Sequence, residues 1–137
     1  MVIRRGDARD LAEVAAIQNA SPGAAQWEVA DYLAYGFRVA SWEGRLAGFI
    51  VSRTLTPGEH EVLNLAVEPG LRGRGVGSSL VVALVADSPG VVFLEVRESN
   101  MTARSFYKAL GFHEVSSRRE YYATPPETAI VMKFHSC

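Results

Sequence analysis

Three groups of residues in this chain have the type and spacing to do chemistry. The first is the run Arg72-Gly73-Arg74-Gly75-Val76-Gly77-Ser78. It follows an apolar stretch, 61 to 67, and precedes the helical spacing of Leu80, Val81, Leu84 and Val85, a pattern that begins at Ser78. Strand, glycine-rich turn and helix aim the unpaired N–H groups of a helix start at one point, where the helix dipole adds positive charge. An anion, typically a phosphate, suits that point. A plain turn with solvated arginines would show the same composition. Two familiar phosphate loops are excluded by spacing. No Lys follows these glycines, as a Walker loop requires, and Ser78 stands where a dinucleotide fingerprint begun at Gly73 and Gly75 needs glycine. What remains is Arg72-x-x-Gly75-x-Gly77.

The second is Glu95, the one charge in the apolar run Val91 to Val96. A buried carboxylate is costly unless paired or used. It reads either as half of an ion pair with an arginine such as Arg97, or as a proton acceptor whose pKa desolvation raises toward neutrality. The third group is aromatic. Tyr107 reads by spacing as a ring packed under the sheet. Trp27, Tyr121 and Tyr122 read equally as the lining of a slot or as a cluster closing a sheet edge. Asn100 suits a helix cap. Arg118 and Arg119 suit a solvated pair at a strand end. His60, His113 and His135 show no ligand spacing, so no metal is expected. Nothing places Cys137 near a base, as a nucleophile requires.

The elements that must position these groups follow in order. Val2-Ile3-Arg4 is a first strand. Asp7 or Asp10 caps a helix through Leu11, Val14, Ala15 and Ile17. Trp27 to Tyr35 is a second short helix, stopped by Gly36. Phe37 to Trp42 and Leu46 to Ser52 form a hairpin around Glu43-Gly44. After the central strand and helix, Ser88-Pro89-Gly90 leads into Val91 to Val96, a strand expected to be buried on both faces. Ser99 or Asn100 then caps a helix bearing Ala103, Phe106, Tyr107 and Leu110. Phe112 to Ser116 and Ala129 to Phe134 are two closing strands around a loop from Tyr121 to Glu127. The result is an α/β, mixed-sheet chain with helices on both faces.

At 137 residues the chain suits a single domain, 1–137, with one sizeable core. A net charge of −1 disfavours direct nucleic-acid binding, which needs an excess of Lys and Arg. One cysteine permits no internal disulfide, which suits a reducing cytoplasm. No apolar stretch suits a secretory signal or a membrane span.

The Arg72-x-x-Gly75-x-Gly77 loop after Ala66-Val67-Glu68-Pro69 resembles the acyl-CoA pyrophosphate loop of the GNAT N-acetyltransferase superfamily. The tail resembles that superfamily's last block: Leu94-Glu95-Val96-Arg97-Glu98-Ser99-Asn100, Ala103, then Phe106-Tyr107-x-x-Leu110-Gly111-Phe112. The match spans 61 to 134. A finer likeness, to bacterial enzymes that acetylate the N-terminal alanine of a ribosomal protein, rests on three segments. They are Leu63-Asn64-Leu65-Ala66-Val67, the Leu94 to Asn100 block, and Arg118-Arg119-x-Tyr121-Tyr122 with Glu127-x-Ala129-x-x-Met132. Trp27 also has a counterpart there. The chain departs from that group at Thr128, where an Asp is usual, and at Ala24-Ala25-Gln26, where Phe-Pro is usual before the Trp. Both departures lie where an acceptor peptide would be read.

The resemblance implies a mostly antiparallel sheet with a central, splayed parallel pair, 63 to 67 against 91 to 96. It implies acetyl-CoA as co-substrate. The pantetheine would run along Leu65, Ala66 and Val67, the pyrophosphate would sit on Arg72, Gly73, Arg74, Gly75, Val76, Gly77 and Ser78, and Asn100 would touch CoA. Glycine at 75 and 77 would leave room for the phosphates. Glu95 becomes the general base, directly or through water, and Tyr107 the general acid. A phenol, at a pKa of about 10 against about 8.5 for a thiol, is a weak donor that can still hydrogen-bond the thiolate. Trp27, Tyr121 and Tyr122 would line the peptide slot. The acceptor is then a protein N-terminal amine, with a small-molecule amine or a lysine side chain as the first alternative. A non-catalytic acyl-CoA sensor is the second. The state would be monomer or homodimer.

Overall fold

The computed structural model describes residues 1–123 and 125–136, with the backbone alone at 120. Seven strands form one sheet: β1 (Val2–Arg5), β2 (Gly36–Trp42), β3 (Arg45–Thr56), β4 (Glu59–Val67), β5 (Gly90–Arg97), β6 (His113–Ala123) and β7 (Pro126–Ser136). Their spatial order is β1-β2-β3-β4-β5-β7-β6. Every pairing is antiparallel except β4 with β5.

Among the described residues, three α-helices cover the sheet. On one face lie α2 (Val76–Ala86) and α3 (Met101–Ala109), whose Leu80, Val81, Leu84 and Tyr107 pack with Ile50, Val92, Leu94, Ile130 and Met132. On the other lies α1 (Leu11–Asn19), whose Val14 and Ile17 meet Tyr32, Phe37, Val39, Phe49 and Ala66. A 3-10 turn, Ala8–Asp10, precedes α1. Asp7 caps it by accepting from the Arg9 N–H at 3.0 Å, and the Asp10 carboxylate returns a bond to the Asp7 N–H at 2.9 Å.

Two expected elements differ. The second helix is a 3-10 segment, Val29–Ala34, with Trp27 outside it. Six residues cannot offset the cost of nucleating an α-helix, and the tighter coil sends Tyr32 into the core, where its hydroxyl donates to Gln18 Oε1 at 2.6 Å. The expected loop from Tyr121 to Glu127 is instead the end of a long hairpin, with Tyr122 opposite Glu127 and Ala123 opposite Pro126. A proline is tolerated as the first residue of a strand, so Pro126 does not prevent pairing.

The central pair sets up the site. β4 and β5 pair only at Glu59–Val91, His60–Val92 and Glu61–Phe93. Beyond that point the two strands separate. On its other edge β4 stays paired to β3, from Val62 to Val67, with a bulge between Val51 and Ser52. The bulge puts one extra residue in β4 and resets which side chains face which way. Leu63 and Asn64 both face α1, and Leu65 and Val67 face α2.

Candidate active site

The gap between β4 and β5 opens onto the start of α2. Its β4 wall is backbone. The Glu68 N–H bonds the Ala47 carbonyl of β3 at 2.7 Å. Alternation along an antiparallel pair then turns the N–H groups of Leu65 and Val67 away from β3, toward the gap. The Asn64 side chain takes the Leu65 N–H at 3.0 Å, and Ala66 sits against the α1 core.

At the end of the gap α2 begins at Val76, two residues before the expected Ser78. Gly75 is its N-cap, with φ of +81°, a conformation that a side chain disfavours, and open space surrounds its Cβ position. Ser79 donates the first intrahelical bond, to the Gly75 carbonyl at 3.0 Å. The N–H groups of Val76, Gly77 and Ser78 therefore point out of the helix end unpaired. Gly73 also adopts a positive φ, 79°. Gly77 has a different reason for being glycine. A Cβ there would lie 3.3 Å from the Phe106 ring and 3.6 Å from Val67, so its bareness lets α2 approach α3 and β4.

The loop arginines are anchored. Arg72 donates through Nε to the Val67 carbonyl at 3.2 Å and through Nη2 to Ser21 Oγ at 3.0 Å, and its backbone N–H bonds Pro69. Its side chain pins the loop to the end of β4. The Arg74 guanidinium lies 5.9 Å from the Trp42 ring centre. Asn100 caps α3, its Oδ1 accepting from the Ala103 N–H at 3.0 Å.

Tyr107 is enclosed between Phe106 and Phe112, with ring centres 5.0 and 5.3 Å away. Burial pushes its phenol well above the usual value. It stays protonated and so remains a hydrogen-bond donor.

Glu95 projects from β5 on the face away from α2 and α3, since its neighbours Leu94 and Val96 pack on theirs. That second face is half-buried, not buried as the apolar run suggested. Its partner is not Arg97 but Arg118, two strands away on β6. Arg118 Nη1 donates to Glu95 Oε1 at 2.7 Å. Glu95 Oε2 is enclosed and without a hydrogen-bond partner among the described residues. Arg97 reaches Glu127 Oε1 at 3.3 Å instead, and Glu127 Oε2 accepts from the Ser99 N–H at 2.6 Å at the entry to α3. These bonds hold the Glu127 carboxyl below its ordinary pKa, the Ser99 contact foremost.

The structure brings Tyr121 and Tyr122 to Glu95. Arg118 stacks 4.3 Å over Tyr121 and Arg97 4.3 Å over Tyr122. Burial first, then the Glu95 charge, raises both phenols, Tyr122 to about 12. Trp27 is exposed, on the segment that crosses the α1 side of β4. Cys137 lies outside the described residues.

Sequence reasoning missed what holds that crossing segment. Asn64, buried in mid-strand, donates to the Ala25 carbonyl at 2.9 Å and accepts from the Ala25 N–H at 3.2 Å. It also donates to Gln18 Oε1 at 3.2 Å and to the Tyr32 hydroxyl at 3.0 Å. The signal was present: an amide between Leu63 and Leu65 is as anomalous in an apolar strand as Glu95.

Comparisons with known proteins agree with this geometry. The model of the acetyltransferase (GNAT) family matches residues 9–112. A [ribosomal protein bS18]-alanine N-acetyltransferase of Salmonella typhimurium is 38% identical over 96 residues, 66% of this chain and 64% of that one. The N-alpha-acetyltransferase RimI of Mycobacterium tuberculosis is 38% identical over 94 residues, 66% of this chain and 60% of that one. The matched stretch thus spans under two thirds of these relatives' length. Among solved structures, the ribosomal-protein-S18-alanine N-acetyltransferase of Escherichia coli superposes with a TM-score of 0.84 at 26% identity, covering 98% of this chain and 93% of that one. Ard1 from Thermoplasma volcanium gives 0.87 at 29%, covering 97% and 95%. A strand pair splayed beyond Glu61 and Phe93, a bare helix start at its end and a family match over most of the length lead to one conclusion: the chain belongs to the GNAT acetyltransferase family.

Proposed function

We propose that the chain transfers the acetyl group of acetyl-CoA to a protein N-terminal α-amine, of the ribosomal-protein-alanine type, in the cytoplasm. The observation that carries this is the β4–β5 gap, with unpaired α2 N–H groups at one end and Glu95 among Arg118, Tyr121 and Tyr122 on the far side. The names of the relatives and the likeness to Naa20 of Chaetomium thermophilum, solved with a bisubstrate analogue (TM-score 0.84, 26% identity, covering 97% of this chain and 85% of that one), support the acceptor class.

In this reading the CoA pyrophosphate lies on the N–H groups of Val76, Gly77 and Ser78. The pantetheine takes the place in the sheet that β5 vacates beside Leu65 to Val67. The thioester carbonyl receives the Val67 N–H as negative charge develops on it. The amine nitrogen attacks the carbonyl carbon, the C–S bond breaks, and the sulfur leaves as thiolate with the Tyr107 hydroxyl as hydrogen-bond donor. The ammonium loses one proton to Glu95, directly or through water, before attack, and the second N–H proton, lost as the tetrahedral adduct collapses to the amide, passes to the departing sulfur. No covalent enzyme intermediate is required, because holding both substrates together supplies much of the rate. Asn100 meets the cofactor while capping α3. Trp27, Tyr121 and Tyr122 line the acceptor slot.

The test is free-thiol release from acetyl-CoA with peptides beginning Ala-Arg, Ser and Met, a lysine peptide and a polyamine. Turnover on the Ala-starting peptide well above the rest is expected. Preference for the lysine peptide or polyamine would move the acceptor class. Tight CoA binding with no turnover on any would count against catalysis.

A further inference from the structure

One oxygen of Glu95 is committed and the other is enclosed. Oε1 is taken by Arg118 at 2.7 Å, and Oε2 is enclosed without a hydrogen-bond donor among the described residues. An enclosed, unsatisfied carboxylate oxygen is costly, so the arrangement would gain from a cation that reaches it. The two partners are unequally held. The Glu95 side chain is 11% exposed and fixed in β5, whereas that of Arg118 is 55% exposed at the sheet edge. The guanidinium is therefore the partner that can leave. It already lies 4.3 Å over the exposed Tyr121 ring, a flat face that suits a planar cation.

The other charges facing this spot are committed. Glu61, on β4, is held by Arg53 at 2.7 Å. Arg97, on β5, holds Glu127 of β7 and stacks on Tyr122. Arg118 is the cation in direct contact with Glu95, and an α-amine, with a pKa of about 8, also arrives as a cation at neutral pH.

We propose that Arg118 is a positioning residue that occupies the acceptor's cation place on Glu95 and yields it when the acceptor ammonium arrives, so that acceptor binding is an exchange of one cation for another. This rests on the reading of Glu95 as the group that meets the amine. The exchange taxes every acceptor. It admits only amines whose further contacts, with the Tyr121 and Tyr122 edge and with Trp27, offset the loss of the Arg118 pair.

The experiment uses the full chain with acetyl-CoA and an Ala-starting peptide. Arg118→Gln should raise kcat/KM about three- to tenfold, carried by a lower acceptor KM, the range expected for an ion pair with a half-exposed guanidinium plus a cation–π contact. Arg118→Lys should fall between parent and Gln, and the KM for acetyl-CoA should not move. In protein carrying 15N-arginine, the Arg118 guanidinium signal, assigned by its loss in Arg118→Gln, should change from hindered to free rotation when CoA and the peptide saturate the enzyme. A tenfold fall in kcat for Arg118→Gln, a higher or unchanged acceptor KM, or an Arg118 signal indifferent to the peptide would each overturn the exchange. Glu95→Gln is measured alongside. A parental rate there sinks the reading of Glu95 itself, whereas a slow Glu95→Gln with no fall in KM for Arg118→Gln sinks the exchange alone.

Discussion

The two ends of the gap are made of different material. The α2 end is backbone: the freed edge of β4, the left-handed Gly75 and three helix-start N–H groups. Arg72 there is tied to Val67 and Ser21. The Glu95 end is side chains: a carboxylate, the guanidinium of Arg118 and two tyrosines, brought together from β5 and β6 across β7. In the proposed reading, backbone donors meet a phosphate and an amide chain, which are the same in every molecule of CoA. Side chains read what varies, and an acceptor varies. One domain can therefore keep its donor end and change its acceptor by altering β6, β7 and the segment around Trp27.

The largest expected break in this contrast is at Glu95. Glu95→Gln should lower kcat by about 10²- to 10⁴-fold, the span for loss of a general base, while CoA affinity measured by calorimetry stays near parental. Next is Asn64, which ties the Trp27 segment to β4. Asn64→Leu strands both backbone groups of Ala25, while Tyr32 and Gln18 keep their mutual bond, at about 1–3 kcal/mol for a buried group left unsatisfied. A lower urea midpoint and a raised acceptor KM should follow, with little change in CoA affinity. Gly75→Ala acts on the opposite end. A side chain at φ of +81° costs about 1–2 kcal/mol, so CoA should bind roughly tenfold more weakly while the acceptor KM holds.

The smallest effect lies outside both ends. Arg104 first, then Lys108, holds Glu114 at a pKa of about 2. A depressed carboxylate gives stability that is present above its unfolded pKa, about 4.3, and lost as pH falls toward 2. The acid side of a plot of Tm against pH should be shallower for Glu114→Gln, with kcat unchanged at neutral pH. An acid slope as steep as the parent's would assign that loss to other carboxylates.

The end of the gap proposed for the donor was legible in the sequence because its geometry depends on local order. Strand, glycines and helix appear consecutively, and the positive φ at Gly75 shows as a residue type. Even so, the reason for Gly77 was hidden, because Phe106 is 29 residues away and reaches it only through the packing of α3 on α2. The end proposed for the acceptor was legible as a set of residues and not as a set of contacts. Glu95 stood out as a charge in an apolar run, yet the neighbouring Arg97 was the plausible partner. Arg118 is reached only once β7 is known to insert between β5 and β6. The Pro125-Pro126 pair read as a loop and hid the strand pairing that presents Tyr121 and Tyr122. The bulge in β4 leaves no mark in composition, although Asn64 records its consequence.

Amide hydrogen exchange with and without CoA tests the division of the site most directly. The account predicts slower exchange at Val67 and Val76 to Ser78 on adding CoA, with the β6 amides from Arg118 to Tyr122 unchanged. Protection of the β6 amides in place of the α2 start would contradict it, and would place the cofactor at the end here assigned to the acceptor.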